Sequence, residues 1–197
     1  MPNKKSLLAT TELPFVPPGT KTFGFKVEAE VWKMDDGSEE TYYMYRLPDG
    51  VQVVALTPEN RIIAITEWQP GVGVAYTHAI GETMKKGESA LDAAQRGLRE
   101  ETGYESDTLT LMSAVLENSA KSCRVIHLVL AENCLKTGDG EAGIKVELFL
   151  PADFWAKMMD YFTTNPESPH GGGNTLKAIA LAYQRLGWLT IETPAVR

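Results

Sequence analysis

Residues 81–104, GETMKKGESALDAAQRGLREETGY, constrain this chain more than any other stretch. They set a glycine-bearing loop beside a short helix that carries adjacent carboxylates. Ser89 has N-cap chemistry, and Asp92 three residues on completes a variant of the capping box. Gly103 stands where a helix closes through a left-handed residue. Leu91, Ala94 and Leu98 recur at three and four residues, which predicts one apolar stripe; Glu100 and Glu101 fall off it. Helical spacing puts Arg96 and Glu100 one turn apart on one face, and Gly97 and Glu101 one turn apart on the next. Two readings follow from the helix alone. One is a solvated acidic surface. The other is a site for a hard divalent cation, Mg2+ or Mn2+.

The rest of the chain narrows the choice. A length of 197 residues suits one domain, or one domain with an extension, and is ample for a sizeable core. The net charge of −7 argues against nucleic-acid binding, which needs a basic face. It fits a protein that takes an anionic ligand through a metal. Cys123 and Cys134 are too few for a disulfide framework. No apolar run approaches a membrane span, and the first residues lack a signal-peptide pattern, so the chain is read as cytoplasmic.

Residues 1 to about 20 read as a loose arm broken by Pro14, Pro17 and Pro18. Residues 25–31 alternate as a half-buried strand, DDGSEE is a turn, and TYYMYRL is a second strand. VQVVALT and RIIAITE form a buried pair around Pro58, Glu59 and Asn60. Trp68 and Tyr76 are read either as core or as platforms for a nucleobase. Residues 108–133 read as strand, turn and strand. Lys121 and Arg124 lie in that turn region, either as phosphate ligands or as plain surface, and His127 reads as a strand residue with a satisfied ring. Gly138, Gly140 and Gly143 mark a flexible loop before the strand at residues 144–150. Two helices close the chain, the first opening on Pro151, with the glycine-rich linker PESPHGGGN between them.

The stretch at residues 81–104 resembles the Nudix box, the signature of the Nudix hydrolases. Glu88, Arg96, Leu98, Glu100, Glu101, Gly103 and Tyr104 fall in its register. Two positions depart from it. Gly97 stands where the family has a glutamate, and Glu82 where it has the opening glycine, with Gly81 next to it. The flanking strands and closing helices, about residues 23–188, are similar to the ADP-ribose and nucleotide-sugar pyrophosphatase group. That chain pattern implies a Nudix-type α/β/α sandwich with a mixed β-sheet over residues 49–197. It also implies an N-terminal arm and β-extension over residues 1–48 that helps form a homodimer.

The resemblance further implies roles. Glu100, Glu101 and the Gly81 carbonyl would hold Mg2+ or Mn2+, with Glu82 supplying part of the charge missing at Gly97. Glu88 and Arg96 would lock the loop onto the helix. Glu141, with Asp139 second, would take the proton from the attacking water. The substrate implied is a small nucleoside diphosphate linked to another group, ADP-ribose or a nucleotide sugar first. By their own chemistry, and not from the family pattern, Trp68 and Tyr76 are candidates to stack on its base, and Arg124, which stands where the group has acidic residues, is a candidate to bind its phosphate. The alternative is a catalytically impaired Nudix-fold nucleotide-binding or scaffold protein, which Gly97 favours. Glycine in a helix interior costs about 1 kcal/mol against alanine, so Gly97→Glu is expected to stabilise the helix.

Overall fold

The computed structural model describes residues 6–13, 24–70, 73–163 and 173–189. They fall into two compact units, residues up to 49 with 116–125, and residues 50–115 with 126 onward.

The first unit is a three-stranded antiparallel sheet of β1 (Ser6–Leu13), β2 (Lys26–Lys33) and β3 (Glu39–Arg46), in that order. The sequence reading of a loose arm is corrected here. Residues 6–13 form a strand because their backbone pairs with β2, from Ser6 opposite Lys33 to Leu13 opposite Val27. Pro14, Pro17 and Pro18 lie outside the described residues. Arg46 ties β3 to β2 through Glu28, at 2.6 Å, and through Glu30. The turn at residues 117–124 joins this unit, with the Tyr45 amide donating to the Lys121 carbonyl at 2.9 Å.

The second unit holds a seven-stranded mixed sheet. Its main path runs β12 (Lys145–Phe149), β5 (Ile62–Gln69), β4 (Gly50–Leu56), β10 (Val125–Glu132) and β9 (Thr108–Leu116). β6 (Val74–His78) pairs with β5, β7 (Ile80–Thr83) pairs with β4, and the short β8 (Tyr104–Glu105) and β11 (Leu135–Lys136) pair with each other outside this sheet. β4 and β10 run parallel, and β4 is buried along its whole length, as its run of apolar residues predicts.

Alternation along β4 sends side chains into two cores. Val54 and Leu56 join Phe154, Met158, Ile179 and Tyr183, from α2 (Pro151–Thr163) and α3 (Gly173–Arg185). Val51, Val53 and Ala55 join Ala93, Ala94 and Leu98 on the opposite face. Those last residues come from α1 (Ala90–Gly97) and from the π-helical turn Leu98–Thr102 that continues it. The sheet is therefore sandwiched between helices, the α/β/α architecture expected from the sequence. Most of the glycine-rich linker, residues 166–172, lies outside the described residues.

Leu98 is fully buried where α1 passes into the π turn, and it seats the acidic helix on the sheet. Leu98→Ala is expected to lower the unfolding free energy by about 2–5 kcal/mol, read from urea denaturation. A loss below about 1 kcal/mol would show that the helix is seated by other contacts.

Candidate metal and catalytic site

The site begins at the helix start. The Ser89 hydroxyl accepts from the Asp92 amide at 3.2 Å and donates to the Asp92 carboxylate at 2.6 Å. This closes the N-terminus with the two residues the sequence singled out. The apolar face differs from the expected stripe. Ala94 and Leu98 are buried, but Leu91 is exposed, and Ala93 and Gly97 take its place. Small residues there let the helix lie close to β4 and β7. The last turn is π-helical, a form that gathers at functional sites. Gly103 ends it in the left-handed region at φ 70°.

Arg96 binds the loop to this helix. Its Nε and Nη2 donate to the two oxygens of Glu88 at 2.8 and 2.9 Å, a bidentate pair. Nη2 also reaches the Thr83 carbonyl at 2.9 Å, and Nη1 lies 2.8 Å from Glu82 and 3.3 Å from Glu100. The Lys85 amide donates to Glu88 at 2.7 Å. The Arg96 guanidinium is the main reason that Glu88 sits at about 2, well below the ordinary carboxylate value of 4.5.

Glu101 is held differently. Its Oε2 is buried and has no hydrogen-bond partner. Burial first, then the charges of Glu82, Glu67 and Glu141, push this carboxyl up to about 9, and a hydrogen bond with the Gly81 backbone partly opposes them. An orphaned buried carboxylate oxygen in the field of other carboxylates fits a divalent cation, whose charge would reverse that pKa logic. The donors present are all oxygen, which suits a hard divalent ion. Among the described residues no three His, Cys, Asp or Glu side chains already form a metal cage. Glu82 and Glu100 are turned toward Arg96 instead.

Gly81 sits on β7 opposite Gln52. The buried Gln52 amide donates to the carbonyls of Ala79 and Ile80 at 2.6 and 3.1 Å and fixes the backbone leading to it. Glu141 is exposed on its loop, but that loop is not loose. A Cβ on Gly140 would lie 2.4 Å from the Glu101 carbonyl, and one on Gly103 would lie 2.2 Å from the Gly138 carbonyl. Amides of Thr137 and Gly138 also donate to the Gly103 carbonyl at 2.9 and 3.1 Å. Glycine at 103 and 140 serves close approach, which corrects the reading of a merely flexible loop.

Tyr76 is buried against the His78 and Tyr161 rings, whereas Trp68 is 62% exposed and so is not core. Arg124 belongs to the first unit, where it donates to the Pro48 carbonyl at 2.8 Å and to Glu117 at 3.0 Å. Phosphate binding there has to compete with those partners. The His127 ring is not satisfied as expected, since its buried Nδ1 has no partner. Sequence reading missed Glu67, which accepts from Gln69 at 2.6 Å and lies 3.3 Å from His78 Nε2. An acid at a strand end looks like solvent-facing charge in sequence, so no signal pointed to it.

Residues 46–169 match the NUDIX domain family. The chain belongs to the Nudix hydrolase family. This Nudix chain is 25% identical over 125 residues to the methanol dehydrogenase activator of Bacillus methanolicus, over 64% of this chain and 67% of that protein. It is 27% identical over 100 residues to the ADP-ribose pyrophosphatase of Bacillus subtilis (strain 168), over 51% of this chain and 54% of that one. The match thus spans about half the length of the latter relative. A crystal structure of an ADP compounds hydrolase superposes with a TM-score of 0.73 over 94% of this chain and 97% of that one. At 19% identity, that likeness is one of fold.

The Glu88–Arg96 pair has a pH signature. Because the folded pKa of Glu88 is depressed, its stabilisation is complete above 4.5 and drains away as pH falls toward about 2. The melting-temperature gap between wild type and Glu88→Gln is therefore expected to be wide at neutral pH and to close below pH 4.5. A gap constant with pH would mean that Glu88 acts through packing and not through its charge.

Proposed function

We propose that this Nudix hydrolase cleaves the diphosphate of ADP-ribose or of a nucleotide sugar with the help of Mg2+ or Mn2+. The observation that carries the reading is Glu101, a buried carboxylate with an unpartnered oxygen, surrounded by the charges of Glu82, Glu67 and Glu141. The relatives' names support the substrate class. Glu101, Glu100, Glu82 and the Gly81 carbonyl would hold the cation. When bound, it would neutralise the diphosphate and acidify a water.

The chain's own groups do the rest. Glu141 accepts the proton of the attacking water, from a loop held against the helix end by Gly103 and Gly140. Trp68 offers an exposed indole face for the nucleobase. Arg96 and Glu88 keep loop and helix in register and touch no substrate. In the first unit, Leu7, Leu8 and Tyr43 are exposed on a small sheet, which supports pairing with a second copy of this chain. Both cysteines are free, in keeping with a cytoplasmic protein.

The test combines turnover and metal binding. ADP-ribose and nucleotide sugars are incubated with Mg2+ or Mn2+, and phosphate is read after phosphatase treatment. Glu141→Gln is expected to lose about 10²–10⁴-fold in rate while keeping the Mn2+-induced rise in melting temperature. Glu101→Gln is expected to lose both. A wild-type rate in Glu141→Gln would move the base to Asp139. A wild type that is stabilised by Mn2+ and turns over none of these compounds would favour the nucleotide-binding alternative.

The proposed homodimer is checked by light scattering on the full chain. A monomer at assay concentration would remove the first sheet from any such interface.

A further inference from the structure

We propose that this chain has exchanged the positions of a glycine and a metal-binding carboxylate, so that Glu82 on β7 supplies the ligand that the helix lacks at Gly97. The inference rests on the cation site proposed above and assigns one of its ligands.

Gly97 is buried in the last turn of α1, and α1 packs against β7. A Cβ built on Gly97 would stand 2.7 Å from Glu82 Cβ, 3.2 Å from its Cγ and 3.8 Å from its Oε2. Real Cβ atoms do not approach a neighbouring side-chain carbon so closely. The Glu82 side chain thus occupies the volume from which any side chain at 97 would have to start. Gly97 precedes Glu101 by four residues, so Glu82 enters over the helix segment that leads to the orphaned Glu101 oxygen. The two departures from the Nudix box are then one event. Glycine at 97 makes room for glutamate at 82, and glutamate at 82 replaces the charge lost at 97.

The same geometry reverses the expectation that Gly97→Glu would stabilise the fold. Helix propensity favours the change, but two side chains cannot share the space.

Glu82 is also oriented. Its Oε2 is 2.8 Å from Arg96 Nη1, and its Oε1 accepts from the Thr83 amide at 2.6 Å. A carboxylate offers about four lone-pair sites, so these two bonds leave capacity for a cation. Arg96 does not need Glu82 as its sole counter-charge, because Glu88 already binds it in bidentate fashion.

The experiment measures Mn2+ binding to the full-length protein by the electron paramagnetic resonance of free Mn2+, with melting temperature recorded without metal. Glu82→Gly and Glu82→Gln are each expected to weaken Mn2+ binding by at least about tenfold. The glutamine variant keeps the volume of the side chain and guards against a folding defect. Gly97→Glu is expected to lower the metal-free melting temperature. The double variant Glu82→Gly with Gly97→Glu is expected to recover both the melting temperature and most of the Mn2+ affinity. If the Glu82 variants bind Mn2+ like wild type while Glu101→Gln does not, the exchange is overturned and Glu82 is only an anchor for Arg96. If wild type itself binds no Mn2+, the cation site falls and the exchange falls with it.

Discussion

Arg96 is the residue on which the arrangement of the site depends, because one guanidinium holds the strand, the loop and the helix together. Its side chain is only 12% exposed, and it spans Glu88 in the loop, the Thr83 carbonyl on β7, Glu82 beside it and Glu100 one helical turn on. A planar fork with five donors can satisfy partners in several directions at once, which a lysine ammonium cannot do with the same geometry. The neighbouring Glu101 lies outside the set of carboxylates that Arg96 binds.

That omission sets Glu101 apart from its neighbours. Glu101 stands a few residues from Arg96 yet has a buried oxygen with no partner, and its proton is held far above the usual carboxylate range. The carboxylates of Glu88 and Glu101 are therefore distinguished by their surroundings and not by residue type. Glu88 is saturated by a cation from the protein itself. Glu101 has no such partner for its buried Oε2. Leu98 anchors the turn that carries Glu101 in one of the two cores.

Absent side chains matter as much as present ones. Gly97, Gly103 and Gly140 each stand where a Cβ would overlap a neighbour, and together they let two segments lie against the helix. Gly97 admits Glu82 from β7. Gly103 and Gly140 admit the loop that ends in Glu141. Two segments that carry acidic side chains, Glu82 and Glu141, thus approach one helix end because the backbone there is bare.

Much of this was legible in the sequence. The register of Glu88, Arg96, Glu100, Glu101 and Gly103, the N-cap at Ser89, the buried strands on either side of Asn60 and the closing helices are all encoded by neighbours in the chain. Spacing along a helix or strand determines which residues share a face, and cap or turn chemistry acts within a few residues. The pairing of residues 6–13 with β2, the exposure of Leu91 and Trp68, the approach of Glu67 to His78 and the reason for Gly97 were decided only by tertiary structure. Each depends on what lies across from a residue in space. A glycine in a helix looks like a defect until the side chain that fills its place is seen to come from another strand. Sequence determined which groups this protein has and how they are phased; packing of one segment on another decided which are paired, which are buried without a partner, and which compete for one space.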